Sequence, residues 1–125
     1  MVDIKLFDGM YGGLEQVLDL RSRQHELIAT NLANADTPGF TAREIPFETM
    51  LTQVMEGAIN NQPMSEADFE PREIEADPWV RDGNSVNPER EATKMSSNSL
   101  LYNAVSSATS HRLSMLRFAA SNGKL

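Results

Sequence analysis

Apolar positions recur at helical spacing in three places along this chain. In the first, Val17, Leu20, Gln24, Leu27 and Asn31 form one stripe, flanked by Leu14, Leu18, Ile28 and Leu32. The spacing predicts a helix from about Leu14 to Asn34, roughly 30 Å long at 1.5 Å per residue. Gln24 and Asn31 interrupt the stripe where a helix packed inside one monomer more often carries leucine. Polar breaks of this kind set register in coiled coils and subunit contacts. Upstream, Ile4, Phe7, Tyr11, Leu14 and Leu18 fall near one helical face, but Gly9, Gly12 and Gly13 weaken a helix there. Residues 1–12 are therefore expected to be mobile in the free protein and helical once packed.

The helix is then made to stop. Pro38 disfavours helical backbone at Thr37 and has no N–H of its own to donate. Thr37-Pro38-Gly39-Phe40 has the form of a type II turn, with proline second and glycine third, where φ is positive. Asn34 is placed to cap the helix in the left-handed region. On spacing alone this is a helix end followed by a turn. Asn31 and Asn34, one turn apart, add amides able to tie the helix end to a second helix or chain.

Beyond the corner, Pro46 opens a short amphipathic helix with Phe47, Met50, Leu51, Val54, Met55 and Ala58 on one face, fading at Gly57. Residues 60–87 hold Pro63, Pro71 and Pro78 with many acids and few apolar groups, and read as loop or locally disordered chain. Within them Asp82-Gly83 predicts the turn of a small β-hairpin joining Trp79-Val80-Arg81 to Asn84-Ser85-Val86, with Trp79 as a packing anchor over one side. The last helix has Asn87 as N-cap, Pro88 at its first position, and Glu89 and Glu91 in its first turn, where the helix dipole favours negative charge. It runs unbroken to about Ser121, roughly 50 Å, and Asn122-Gly123 ends it. Met95, Tyr102, Thr109 and Leu116 recur every seven residues, and Ala104, Ser106, Ser107 and Ala108 permit close helix approach.

The expected fold is mainly α, a single domain over residues 1–125. Residues 1–40 form an N-terminal arm and helix, 41–87 an irregular acidic, proline-rich middle, and 88–125 the C-terminal helix. The two terminal helices are expected to pair as an antiparallel, coiled-coil-like hairpin. Its seam would be Leu14, Val17, Leu20, Leu27, Ile28 and Leu32 on one helix and Met95, Leu101, Tyr102, Val105, Ala108 and Leu116 on the other. The longer helix would overhang its partner by several turns, to be covered by the N-terminal arm or by neighbouring copies. Hydrophobic residues make up 40% and aromatics 6% of the chain, enough for a seam but not for a thick core. Stability alone should be marginal, and association would supply the missing burial.

The net charge of −7 is unevenly spread: residues 1–43 carry −2, residues 44–87 carry −8, and residues 88–125 carry +3. An acidic middle argues against a nucleic-acid partner, because no basic patch could replace the counterions of a phosphate backbone. With no cysteine, neither a disulfide framework nor a thiolate metal site is possible. No run of 18 apolar residues spans a membrane, and the first residues lack the basic start and apolar run of a cleaved secretory signal.

The contiguous string Asn31-Leu32-Ala33-Asn34-Ala35-Asp36-Thr37-Pro38-Gly39-Phe40 closely resembles the N-terminal signature of the flagellar basal-body rod and hook family. In that signature a helix ends in Asn-x-Ala-Asn-x-x-Thr-Pro-Gly-aromatic. Gly83-Asn84-Ser85-Val86-Asn87, then Glu89, Glu91, Asn98, Tyr102 and Leu116-Arg117, look like the closing segment of the short proximal rod members. Phe47-Glu48-Thr49-Met50-Leu51 looks like the Phe-x-x-x-apolar element with which early rod and hook subunits engage the flagellar export gate, through Phe47 and Leu51. The resemblance covers roughly residues 10–43 and 82–119, and residues 118–125 are less apolar than the family pattern. It implies a structural subunit of the basal-body rod in the periplasm, exported without a cleaved signal and assembled through its terminal helices into a helical tube. The implied partners are copies of itself, other rod proteins, a basal-body adaptor at the membrane ring, and the export apparatus during transit. Asn31, Ala33, Asn34, Thr37, Pro38, Gly39 and Phe40 would form the corner where the chain leaves the helical layer.

No catalytic, cofactor or metal site is expected. His25 and Glu26 are adjacent and point to different helix faces, so they cannot chelate as an i, i+4 pair would. His111 has no carboxylate within a turn, and Gly12-Gly13 and Gly39 form no phosphate loop. The competing reading is a soluble acidic helical adaptor or export chaperone that lends its apolar seam to a different partner helix.

Overall fold

A computed structural model describes residues 4–121 and Gly123, with side chains from Gly9 onward except that of Glu66. The elements run α1 (Ile4–Ala33), β1 (Arg43–Glu44), α2 (Phe47–Ile59), a 3₁₀ turn (Glu66–Asp68), β2 (Arg72–Glu73) and α3 (Pro88–Ala120). The protein is mainly helical, and its two long terminal helices pack together as the spacing predicted. Asn31 of α1 meets Glu91 of α3, Arg21 meets Asn98, and Met10 meets Arg112, which fixes the pairing as antiparallel.

The helix α1 starts ten residues earlier than Leu14, so the N-terminal arm continues α1. Gly9 and Gly13, one turn apart, let the end of α2 lie against it. A Cβ on Gly9 would come within 2.8 Å of the Ala58 carbonyl oxygen, and one on Gly13 within 3.0 Å of the Ala58 Cβ. The glycines thus trade helix propensity for close packing. Ile4 and Phe7 of the expected arm face lie outside the described side chains. With 30 residues in α1 and 33 in α3, the expected overhang of several turns shrinks to a few residues.

The apolar core forms on the α2 side of α1, away from the expected α1–α3 seam. Leu20, Leu27, Ile45, Val54 and Phe69 are buried together, with Val17, Phe47, Met50, Leu51 and Met64 packed around them. Burying side chains such as Leu20 and Val54 contributes about 1.5–3 kcal/mol each. Phe69 pins the proline-rich segment to this core, and the Gln16 amide donates to the Met64 carbonyl at 2.6 Å. On α3 the covered positions are Glu91, Lys94, Met95, Asn98, Ser99, Val105, Ser106 and Thr109. Leu101, Tyr102, Ala108 and Leu116, expected in the seam, are exposed. Leu14, Val17, Leu32, Met95 and Val105 are half-buried, and Leu20, Leu27 and Ile28 are buried.

The small sheet is not the expected hairpin. Arg43 pairs with Glu73 and Glu44 with Arg72, antiparallel. Residues 79–86 form turns because their backbone groups are used elsewhere. The Asp82 carbonyl accepts from Gly39 N–H at 2.7 Å, and Ser85 N–H donates to the Phe40 carbonyl at 3.1 Å. Trp79, expected to anchor that hairpin, is 89% exposed.

The final helix follows its sequence signals. The Asn87 side chain accepts from Arg90 N–H, Pro88 sits in the first turn, and α3 ends at Ala120 with Ser121 as cap. Asn122 of the expected stop lies outside the described residues.

Candidate assembly site

The helix α1 ends at Ala33, and the next residues turn tightly in the right-handed sense through i→i+3 bonds, Ala35 N–H to the Leu32 carbonyl and Thr37 N–H to the Asn34 carbonyl. Asn34 therefore does not adopt the left-handed cap expected of it; Asn61 is the one non-glycine residue with positive φ among those described. The Asn34 side-chain amide instead donates back to the Thr30 carbonyl at 2.8 Å. Gly39 takes φ +71°, and Phe40 N–H closes the turn onto the Thr37 carbonyl at 3.2 Å. Ala33, Thr37, Pro38 and Gly39 are exposed, and Asn34 and Phe40 half-buried.

This knuckle is held from behind by Asn84, which is 4% exposed. Its amide nitrogen lies 2.8–2.9 Å from the carbonyls of Asn34, Ala35 and Thr37, while its oxygen accepts from Val86 N–H at 2.8 Å. Helix ends leave carbonyls without intrahelical partners, and a buried one must find a donor. Asn84 supplies two N–H groups to three oxygens just past the helix end, of which the Asn34 and Thr37 carbonyls also accept from Thr37 N–H and Phe40 N–H. Ser85 adds a hydroxyl that accepts from Ala42 N–H at 2.7 Å. The two sequence motifs, one at the end of α1 and one before α3, are halves of one clasp.

A second polar hub lies beneath it. Asn31 is 1% exposed; its oxygen accepts from Arg43 N–H, and its nitrogen donates to the Arg43 carbonyl at 2.9 Å and to Glu91 at 3.0 Å. Glu91 is 2% exposed and bridges to Lys94 at 2.9 Å. Lys94 also reaches Glu44 at 3.1 Å, and Glu44 pairs with Arg72 at 2.7 Å. Burial pushes the Glu44 carboxyl up, but the hydrogen bonds and charges of Arg72 and Lys94 outweigh that and hold it below its ordinary value. One chain of polar groups thus joins α1, β1, β2 and α3. Two turns along, Asn98 donates to the Arg21 carbonyl at 2.8 Å and accepts from the Arg21 guanidinium, which also lies 3.7 Å over the Phe47 ring.

The other end differs in kind. Leu100, Leu101, Tyr102, Leu113, Met115, Leu116 and Phe118 are all 39% or more exposed. Every residue from Ser110 to Ala120 is exposed. A small protein seldom leaves this many large apolar side chains on one helix in water without a partner surface.

His25 and His111 are exposed on separate helices. Among the described residues no three His, Cys, Asp or Glu side chains converge as a metal site would require, and no helix is long and apolar enough to cross a membrane. The site can bind and position, and its polar groups are spent on internal hydrogen bonds. Sequence reasoning names the knuckle, and Asn84 and Glu91 within the family's closing segment, but not the contacts of those two with the corner, and it misses Lys94 and Glu44. The local pattern makes Asn84 a strand residue and Glu91 a helix-dipole residue, and the visible signal is the run Asp82-Gly83-Asn84-Ser85, rich in groups that bond backbone.

Residues 18–41, the last half of α1 and the knuckle, match the family described as flagella basal body rod protein. Over 111 residues the chain is 38% identical to the flagellar basal body rod protein FlgB of Yersinia ruckeri, covering 76% of this chain and 81% of that protein. The chain belongs to the FlgB family of flagellar basal body rod proteins. It is also 32% identical over 115 residues to FlgB of Escherichia coli K12, with 79% of this chain and 83% of that protein covered. The matched stretch of residues 18–41 contains Arg21, Asn31 and Asn34, through which α1 is bound to α3 and to the clasp.

Proposed function

We propose that this chain is a structural subunit of the flagellar basal-body rod, and that it assembles through its terminal helices into a helical wall around a central channel. The family membership supports the first part. The second rests on the exposed apolar half of α3, which a lone copy leaves in water. Neighbouring copies or other rod proteins cover Leu101, Tyr102, Leu113, Leu116 and Phe118, and the hydrophobic effect drives their association. The knuckle at Asn31–Phe40 fixes where the chain leaves the helical layer, and the acidic middle lies outside it.

The proposed route to the periplasmic rod is export as an unfolded chain without a cleaved signal. Phe47 and Leu51 are the export-gate element of that reading. In the folded chain Phe47 lies under Arg21 and both residues pack on the core, so the element is readable only before folding. The further partners are the adaptor at the membrane ring and the next rod protein distally. The deciding experiment is isolation of hook–basal bodies from cells expressing the tagged chain: a rod subunit co-purifies with them. A chain that stays in the cytoplasm in a defined heteromer is an adaptor. Replacing Gly39 by Val should abolish motility while leaving most of the helix signal, because positive φ costs a β-branched residue more than the roughly 1–2 kcal/mol of an ordinary one. Unimpaired motility of Gly39→Val would remove the role given to the knuckle.

A further inference from the structure

Trp79, the single tryptophan, is 89% exposed at the tip of a turn, yet the turn itself is tied down. Trp79 N–H donates to the Asp77 carboxylate at 3.1 Å, and Val80 N–H to the Asp77 carbonyl at 2.9 Å. Gly83 N–H reaches the Val80 carbonyl at 3.3 Å, and the Asp82 carbonyl is bonded to the knuckle through Gly39. Val80 beside it is 40% exposed. An indole buries roughly 150–250 Å² when covered, so its exposure on a rigid tip forgoes a large gain that nothing in the lone chain recovers. It belongs neither to the core nor to the α3 face.

The molecule also carries a hole. Between α1 and α3 a cleft of about 310 Å³ is lined by Arg21, Ser22 and His25 on one side and by Asn98, Ser99, Tyr102 and Asn103 on the other. That is at the lower limit of small-molecule pockets, a size suited to one aromatic side chain. Its wall offers an aromatic ring and a guanidinium, both of which favour an indole face. The Arg21 Nε is buried without a partner in the chain. Charge is complementary as well: the tip carries Asp77 and Asp82 against one Arg81, and the cleft carries Arg21 with no acid among its lining residues.

We propose that the Trp79 tip of one copy seats in the α1–α3 cleft of the next copy of this chain. Tip and cleft are different patches of the same surface, so the contact is head-to-tail, and head-to-tail contacts that do not close into a ring propagate as a helix. The inference rests on the rod reading above and adds to it a specific contact between the acidic middle of one copy and the helical layer of its neighbour.

The absence of cysteine makes the test clean. In basal bodies purified from cells making the full-length Trp79→Cys, Ser99→Cys double variant, mild oxidation should give a ladder of disulfide-linked copies of this chain. Either single variant alone should give none. Dimers from Trp79→Cys alone would show two tips meeting, and linkage to a different rod protein would put the cleft on that protein; each overturns the proposal. The tryptophan itself gives a second readout in the unmodified sequence: in concentrated, assembled chain its emission should shift to the blue and lose acrylamide quenching. Tyr102→Ala should restore the quenching. Incorporation of the chain into basal bodies with Trp79 fully quenchable defeats this contact and leaves the rod reading standing, whereas absence of the chain from basal bodies defeats the rod reading.

Discussion

The two ends of the helical hairpin solve opposite problems. At the corner end, α1, α3 and the two short strands are joined by paired polar groups: buried Asn31 and Glu91, half-buried Lys94 and Glu44 and exposed Arg72 in one chain, and buried Asn84 with three carbonyls of the knuckle in another. At the far end, α3 presents Leu113, Met115, Leu116 and Phe118 to water. Buried hydrogen bonds are directional and specify one geometry, whereas exposed apolar side chains spread round a helix are adhesive without specifying a partner's position. A subunit that must keep one shape and still join others needs both, in separate places. On the proposed reading, the corner sets the angle at which the chain leaves the helices, and the exposed apolar side chains of α3 supply the free energy of joining.

This contrast predicts where substitutions act. The largest loss of stability should follow Glu91→Ala, which leaves Asn31 and Lys94 without their buried acceptor; about 3 kcal/mol is expected, at the low end for breaking a buried pair because Lys94 keeps Glu44. Chemical denaturation reads it, and an unchanged midpoint would dissolve the hub. Asn84→Ala should cost about 2 kcal/mol, since the Ala35 carbonyl loses its donor and the Asn34 and Thr37 carbonyls each lose one of two in a site too closed for free hydration. Its signature in hydrogen exchange is faster opening of residues 34–42 than of Leu20 or Leu27. Equal protection at both places would mean that the knuckle stands without Asn84.

Acid should act at the same end, more weakly. Glu44 titrates below its ordinary value in the folded chain, so the folded state binds fewer protons than the unfolded one. Its stabilising contribution is present above the unfolded value, 4.5, and is lost as pH falls through the folded one. Glu44 is partly solvated, so the effect is below about 1 kcal/mol, and Glu44→Gln should flatten that part of the stability–pH curve. Smallest in stability is the double variant Leu116→Ser, Phe118→Ser at the open end, expected within about 0.5 kcal/mol of the parent. Its effect should appear in assembly instead, as loss of the chain from isolated basal bodies. Normal incorporation would remove the apolar face from the assembly contact, and a large loss of stability would show that the face is already used inside one copy.

Much of this was legible along the chain because it is local. Helix α3 could be drawn from Asn87-Pro88 at one end, since capping depends on a few consecutive residues. Pro38 and Gly39 likewise carried the turn within their own backbone preferences. The start of α1 was not legible: Gly9 and Gly13 argue against helix locally, and only the approach of Ala58 from α2 explains them. The strand pairing failed for the same reason. Residues 82–85 have hairpin chemistry, but the Asp82 carbonyl and Ser85 N–H are taken by Gly39 and Phe40, and the Ser85 hydroxyl by Ala42, more than 40 residues earlier.

The sequence by itself therefore determined the helices, the corner and the family, through spacing, caps and one contiguous motif. Only the tertiary structure decided which face of α1 builds the core, that Asn84 and Glu91 lock the corner, and which side chains of α3 stay in water. Burial is a property of what lies opposite a residue, and Leu20 and Leu116 carry the same side chain. The first meets Val54 and Phe69, and the second meets solvent.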